Sequence, residues 1–173
     1  MLAAAALVWI TLDAGVSTPS LHIGRAWTLA GTADALFQPL FVYPGFRSGL
    51  ATHGGFRLSH ALAADTTLTF SGRAGATYVD DWRPVFEGSA EVSWRERVEL
   101  RAGLRHDDRL RREGSLAGFR DPTGRMFAGA RVLPLKRGPF AGGAAVDYER
   151  ALPGASRLPS GLSGTIVGRV RWR

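Results

Sequence analysis

"FEGSAEVSW", Phe86 to Trp94, is the stretch that decides the fold. Phe86, Gly88, Ala90, Val92 and Trp94 share one parity, and Glu87, Ser89, Glu91 and Ser93 share the other. A strand sends successive side chains to opposite faces, so this segment is apolar on one side and charged or hydroxylated on the other. A helix would scatter both sets around its circumference. The segment reads as a strand.

The same period of two runs through most of the chain from residue 21 onward. In "TLTFSGRAGATYV", Leu68, Phe70, Gly72, Ala74, Ala76 and Tyr78 oppose Thr67, Thr69, Ser71, Arg73, Gly75 and Thr77. "VELRAGLRHD" sets Val98, Leu100, Ala102 and Leu104 against Glu99, Arg101, Gly103 and Arg105. "FAGGAAVDYE" and "IVGRVRWR" alternate in the same way. Less regular strands fit at 21–37, where Arg25 breaks the apolar parity, at 53–63, and at 126–135, where Arg131 shares a face with Phe127 and Leu133. Helical periodicity is strong nowhere. Short connections ("AADT", "RER", "KRGP") alternate with mostly longer ones at 38–50, 80–83, 107–124 and 152–161. That is the plan of an all-β, eight-stranded antiparallel up-and-down barrel, in which an even count brings both ends to the short-turn rim. One domain over 21–173 suits a chain of 173 residues.

The aromatics give the barrel a scale. Phe70 and Tyr78, Phe86 and Trp94, and Phe140 and Tyr148 each flank an apolar face eight residues apart. That spacing is roughly 26 Å along a strand and roughly 20 Å along the axis of a barrel with strands tilted by about 40°. Transmembrane barrels carry an outward apolar band about 25 Å tall between two aromatic girdles. A turn centred on residue 82 would set Tyr78 opposite Phe86 and Phe70 opposite Trp94, with Trp27 and Trp172 extending the girdles. In architecture, residues 21–173 resemble the small bacterial outer-membrane β-barrels of the OmpA, OmpX and OmpW kind. The resemblance implies a transmembrane barrel in the bacterial outer membrane, with outer-membrane lipid, including lipopolysaccharide, and the barrel-insertion machinery as partners. Those barrels end on an aromatic; here Trp172 is penultimate, before Arg173, and the apolar face is richer in Gly and Ala than in Leu and Val.

In this barrel the polar parity points inward. It holds Arg57, Arg73, Glu87, Glu91, Arg95, Glu99, Arg101, Arg105, Asp147, Glu149, Arg169 and Arg171. An eight-stranded interior is only wide enough for side chains to fill, so the expected role of these charges is a mutually neutralising network that plugs the lumen. Residues 1–20 contain an apolar run, Leu2 to Ile10, too short for a spanning helix. They read as a truncated export signal, as an extra strand or plug, or as the start of a piece cut from a longer protein.

The formal charge is +7, nearly all from arginine, because Lys136 is the only lysine. This reads first as solvated arginines and codon bias, and second as selection for an anionic partner. No cysteine is present, which excludes disulfides, thiol catalysis and thiolate-bound metals. No catalytic constellation, cofactor motif or metal-ligand spacing emerges. Ser59 and His60 are neighbours, which on a strand sets them on opposite faces. "RHDD" at 105–108 reads as a polar loop start, and Asp80 and Asp81 near Arg83 as turn residues. The best candidate contact surface for an anion is the loop bearing Arg109, Arg111, Arg112 and Arg120, with Phe119, since arginine recognises phosphate well.

The function expected is structural, anchoring or surface-interacting, without catalysis and without nucleic acid. A second reading is a soluble antiparallel barrel binding an anionic ligand or nucleic acid; a third is an outer-membrane lipid-modifying enzyme.

Overall fold

A computed structural model describes residues 7–42, 45–78, 82–107, 124–152 and 161–172. Every regular element is a strand: β1 (Leu7–Ser17), β2 (Leu21–Ile23), β3 (Trp27–Val42), β4 (Gly45–Ala63), β5 (Thr66–Tyr78), β6 (Trp82–Trp94), β7 (Val98–Asp107), β8 (Gly124–Arg137), β9 (Phe140–Ala151) and β10 (Gly161–Trp172). β3 to β10 form a meander of consecutive antiparallel pairs. β1 closes it, antiparallel to β3 on one side and parallel to β10 on the other. β2 is a three-residue pair on the same edge of β3 as β1.

The closed wall thus has nine strands, not eight, and it is mixed rather than wholly antiparallel. Parity explains the correction. A meander reverses direction at every turn, so an odd strand count brings the first and last strands together running the same way. The seam runs from Leu7 beside Ser163 to Val16 beside Trp172. β1 therefore starts at the long-loop rim and β10 ends at the short-turn rim, so the two ends of the barrel wall do not share a rim.

Three more expectations change. The strand expected over 21–37 is two pieces joined by a turn at 24–26, where Gly24 has φ of 67° and Arg25 is exposed. Thr18 bridges the break before β2: its backbone N–H donates to the Gly31 carbonyl at 3.0 Å, and its Oγ1 accepts from the Gly31 N–H at 2.8 Å. The loop expected over 38–50 is mostly strand, because β3 and β4 stay paired as far as Val42 and Gly45. The hairpin of β5 and β6 turns four residues tighter than the arithmetic on residue 82 implied. Tyr78 meets Trp82, Ala74 meets Phe86, and Phe70 meets Ala90.

The irregularity at 126–135 has a local cause. Opposite β9 the register of β8 slips between Val132 and Leu135, a bulge that includes Pro134. Proline has no N–H for the ladder, and bulges are where a sheet accommodates it. Across the slip Leu133 stays buried while Leu135 is exposed.

Neighbouring strands approach closely at inward glycines. A Cβ added at Gly55, Gly75, Gly103 or Gly143 would run into a backbone carbonyl of the adjacent strand, from Gly72, Thr52, Gly88 and Val132 respectively. Outward Gly88 has nothing within 4 Å of the same position. Gly103→Ala is expected to lower the urea midpoint by the equivalent of about 1–3 kcal/mol, and Gly88→Ala by less than about 0.5 kcal/mol. Equal effects of the two would show that the inner glycines are not required for close strand approach.

Candidate functional site

The side chains sort by parity into two surfaces. On the outside, Phe86 is 54% exposed, Leu100 58%, Phe140 58% and Ile166 53%. On the inside, Glu99 is 3% exposed, Asp147 7% and Glu87 8%. The barrel is inverted with respect to a protein that hides its apolar residues from water.

Inside, arginines and carboxylates alternate in one continuous chain of ion pairs. Arg125 and Arg105 reach Glu149, each at 3.3 Å, and Arg105 reaches Glu87 at 2.8 Å. Arg73 bonds Glu87 at 2.6 Å and lies 3.8 Å from Asp34. Asp34 pairs with Arg171, which also holds Asp13 at 2.7 Å. Arg169 joins Asp13, at 3.8 Å, to Glu99, which it grips with both terminal nitrogens at 2.7 and 3.0 Å. Arg131 completes the line on Glu99 at 2.8 Å. Beside it Arg101 makes a two-pronged bond to Asp147, at 3.0 and 2.6 Å. The Phe127 ring lies under the guanidinium groups of both Arg101 and Arg105.

Gly15 is what lets this network cross the seam. Arg171, Gly15 and Asp34 are neighbours in register on β10, β1 and β3. A Cβ at Gly15 would occupy the space where the Arg171 and Asp34 side chains meet. β10 therefore holds β3 directly, over the top of the strand between them.

Arg57, Arg73, Glu87, Glu91, Glu99, Arg101, Arg105, Asp147, Glu149, Arg169 and Arg171 all stand on the inward parity of the register. Arg95 does not. It sits in the exposed turn after β6, bonded to Asp65 at 2.9 Å and lying over the Trp94 ring. Four participants escaped the sequence reading: Asp13, Asp34, Arg125 and Arg131. Asp34 had a visible signal, because Thr28, Thr32 and Asp34 put the polar residues of "WTLAGTADALF" on one parity. Asp13 lay within the apolar leader-like segment. Arg125 and Arg131 alternate with Phe127 and Leu133, two apolar residues that fill the lumen.

Outside, rings gather near both rims. Trp27 stacks on His60 with centroids 4.6 Å apart and lies 6.3 Å from Phe70. With Trp94 and Phe140 they mark the short-turn end. Tyr78 packs on Trp82 at 5.3 Å and Phe86 on His106 at 6.2 Å, and with Tyr148 these mark the other end. Backbone register puts Trp172 at the end of β10. The cross-strand pairs Tyr78–Phe86 and Phe70–Trp94 do not form. Between the belts, Phe56, Phe70 and Leu104 border a shallow depression of about 550 Å³ floored by Gly88, Ala90 and Ala102.

The residues weighed for chemistry are dispersed. Ser59 bonds Thr69 at 3.1 Å on the inner face, whereas His60 faces out with Nδ1 3.0 Å from the Ala26 carbonyl. His106 faces out toward Phe86. Among the described residues no group of three His, Asp or Glu side chains is placed to hold a metal. Arg109, Arg111, Arg112, Phe119 and Arg120, with Asp80, Asp81 and Asp108, lie outside the described residues. No family model, curated protein or solved structure matches the chain.

Removing one partner of a buried pair strands the others, at a cost of about 3–5 kcal/mol. Glu87→Gln, which leaves Arg73 and Arg105 short of a carboxylate, is expected to destabilise on that scale. Asp65→Asn, which breaks an exposed pair, should cost about 0–1 kcal/mol. Equilibrium unfolding of the two variants side by side measures the difference.

Proposed function

We infer that this chain is an integral membrane β-barrel of the bacterial outer membrane, with a structural, anchoring or surface-contacting role and a lumen largely filled by its own ion pairs. The observation that carries the reading is the inversion of the two faces. A continuous exterior of exposed Leu, Ile, Val and aromatic residues is far larger than the apolar patches that water-facing monomers tolerate. Hydrocarbon is the solvent in which that exterior is stable, and a closed wall leaves no strand edge unpaired in it.

The belts of rings support the same reading. Trp27, Phe70, Trp94 and Phe140 near one rim, and Tyr78, Trp82, Phe86 and Tyr148 near the other, stand where amphipathic rings prefer to lie, between acyl chains and headgroups. The partners are then outer-membrane lipids and the machinery that inserts barrels. The loops on the long-loop rim, with Arg109, Arg111, Arg112, Phe119 and Arg120, are the surface offered to lipopolysaccharide phosphates. A role without catalysis is supported by the interior, where most of the acids and bases are engaged with one another.

Two measurements test the reading. Detergent-folded protein is expected to run as two bands in SDS gels, compact when unheated and extended after boiling; a single extended band, with the protein β-rich in plain buffer, would overturn it. Ile166 lies opposite Ala144, midway between Phe140 and Tyr148. Ile166→Arg is expected to cost about 2–4 kcal/mol of folding free energy in lipid, against about 0.5 kcal/mol or less for an ordinary exposed site.

A further inference from the structure

Among the inward-facing Arg, Asp and Glu of the strands whose side chains are described, each belongs to an ion pair of 4 Å or less except Arg57 and Glu91. The two exceptions carry opposite charges and share one stretch of wall. Arg57 on β4 aligns with Ser71 and Ser89 on β5 and β6. One inward step nearer the short-turn rim, Ser59 and Thr69 align with Glu91. The six residues form a grid with the charges at diagonal corners and hydroxyls at the other four positions. Those hydroxyls bond along their own rows, Ser71 to Ser89 at 2.8 Å and Ser59 to Thr69 at 3.1 Å. Two strand spacings and one inward step separate the Cα atoms of Arg57 and Glu91 by roughly 12 Å.

The wall beside the grid is built from small side chains. From it to the short-turn rim, the inward residues of β3 to β6 are Thr28, Ala30, Ala61, Thr67 and Ser93, none larger than threonine. The facing wall in that half of the barrel carries Leu133, Arg131, Arg169 and Arg171. Arg57 is exposed although it stands on the inward parity, beside the vestibule that small side chains of this kind would leave.

We propose that this vestibule is a binding site for a small zwitterion, whose carboxylate or phosphate sits on Arg57 and whose ammonium sits on Glu91. A guanidinium offers a planar fork that matches either anion with two bonds, and a carboxylate accepts from an ammonium in the same charge-assisted way. Arg57 and Glu91 stand on the strands either side of β5, a separation that a ligand with a short spacer between its two charges would bridge, while the hydroxyls receive its polar middle. A simple anion or cation satisfies one corner and leaves the other without a partner. The site rests on the closed barrel alone and does not depend on what surrounds its exterior.

The test is calorimetric titration of the folded protein with two zwitterions, O-phosphoethanolamine and β-alanine, and with the separate halves, methyl phosphate and ethylammonium. It is run in detergent, or in plain buffer if the barrel proves soluble there, so that failure of the membrane reading and failure of this one are separate results. At least one zwitterion is expected to bind saturably, with each half about tenfold or more weaker. Arg57→Gln and Glu91→Gln should each raise the dissociation constant about tenfold or more while keeping the wild-type unfolding midpoint. Arg57→Lys, which keeps the charge and loses the fork, should fall between. Absence of binding by both zwitterions, equal binding of the halves, or retention of binding in the Arg57→Gln/Glu91→Gln double variant would each overturn the proposal.

Discussion

A line of alternating arginines and carboxylates runs around the inside of this barrel, and the closure of the wall depends on it. Each ion would be costly alone in a space shielded from water. Shared partners remove that cost: Glu99 serves Arg131 and Arg169, Glu87 serves Arg73 and Arg105, and Arg171 serves Asp13 and Asp34. Arginine suits the arrangement better than lysine. Its flat fork lets Arg169 and Arg101 each grip one carboxylate with two nitrogens, and its length lets Arg171 lie across a neighbouring strand. The near absence of lysine thus has a structural reading beside the compositional one.

The odd strand count follows from the same network. Eight antiparallel strands, β3 to β10, would already present β3 and β10 in the right sense to pair with each other. β1 lies between them instead, and the Arg171–Asp34 contact reaches over it through the opening left by Gly15. Arg169 and Arg171 both engage Asp13, which ties β1 to its parallel neighbour from the inside. The seam therefore combines a hydrogen-bonded ladder with ion pairs on its inner face.

Much of this was legible in the sequence, because parity is a local property. The alternation in "FEGSAEVSW" assigns inside and outside without reference to any other strand, and the positions of Phe86 on the exterior and Glu87 within follow it. What could not be read depends on partners distant in sequence or on turn lengths. The pairing of Glu99 with Arg169 spans seventy residues and exists only after closure. The register of β5 on β6 turned on whether Trp82 begins a strand or belongs to the turn, which composition does not decide. Pro39 and Gly45 look like breakers, yet β3 and β4 pair through them. Leu7 to Ser17 stayed open among its readings for another reason: an apolar run with one acid suits an export leader and a strand equally well, and the extra strand is the alternative the fold realises.

The ninth strand also bears on what the lumen can hold. An eight-stranded barrel is just wide enough for side chains to fill, and a ninth strand widens the circle. β1 brings only Asp13, Gly15 and Ser17 to the inner face among its described side chains. The added width is taken up unevenly. Phe127, Leu133 and most of the arginines crowd one side, whereas β3 to β6 present hydroxyls and alanines near the short-turn rim. Two opposite charges without an ion pair, Arg57 and Glu91, stand where the unfilled space lies. The strand that makes the seam parallel is thus also the one that widens the ring in which these two charges stand.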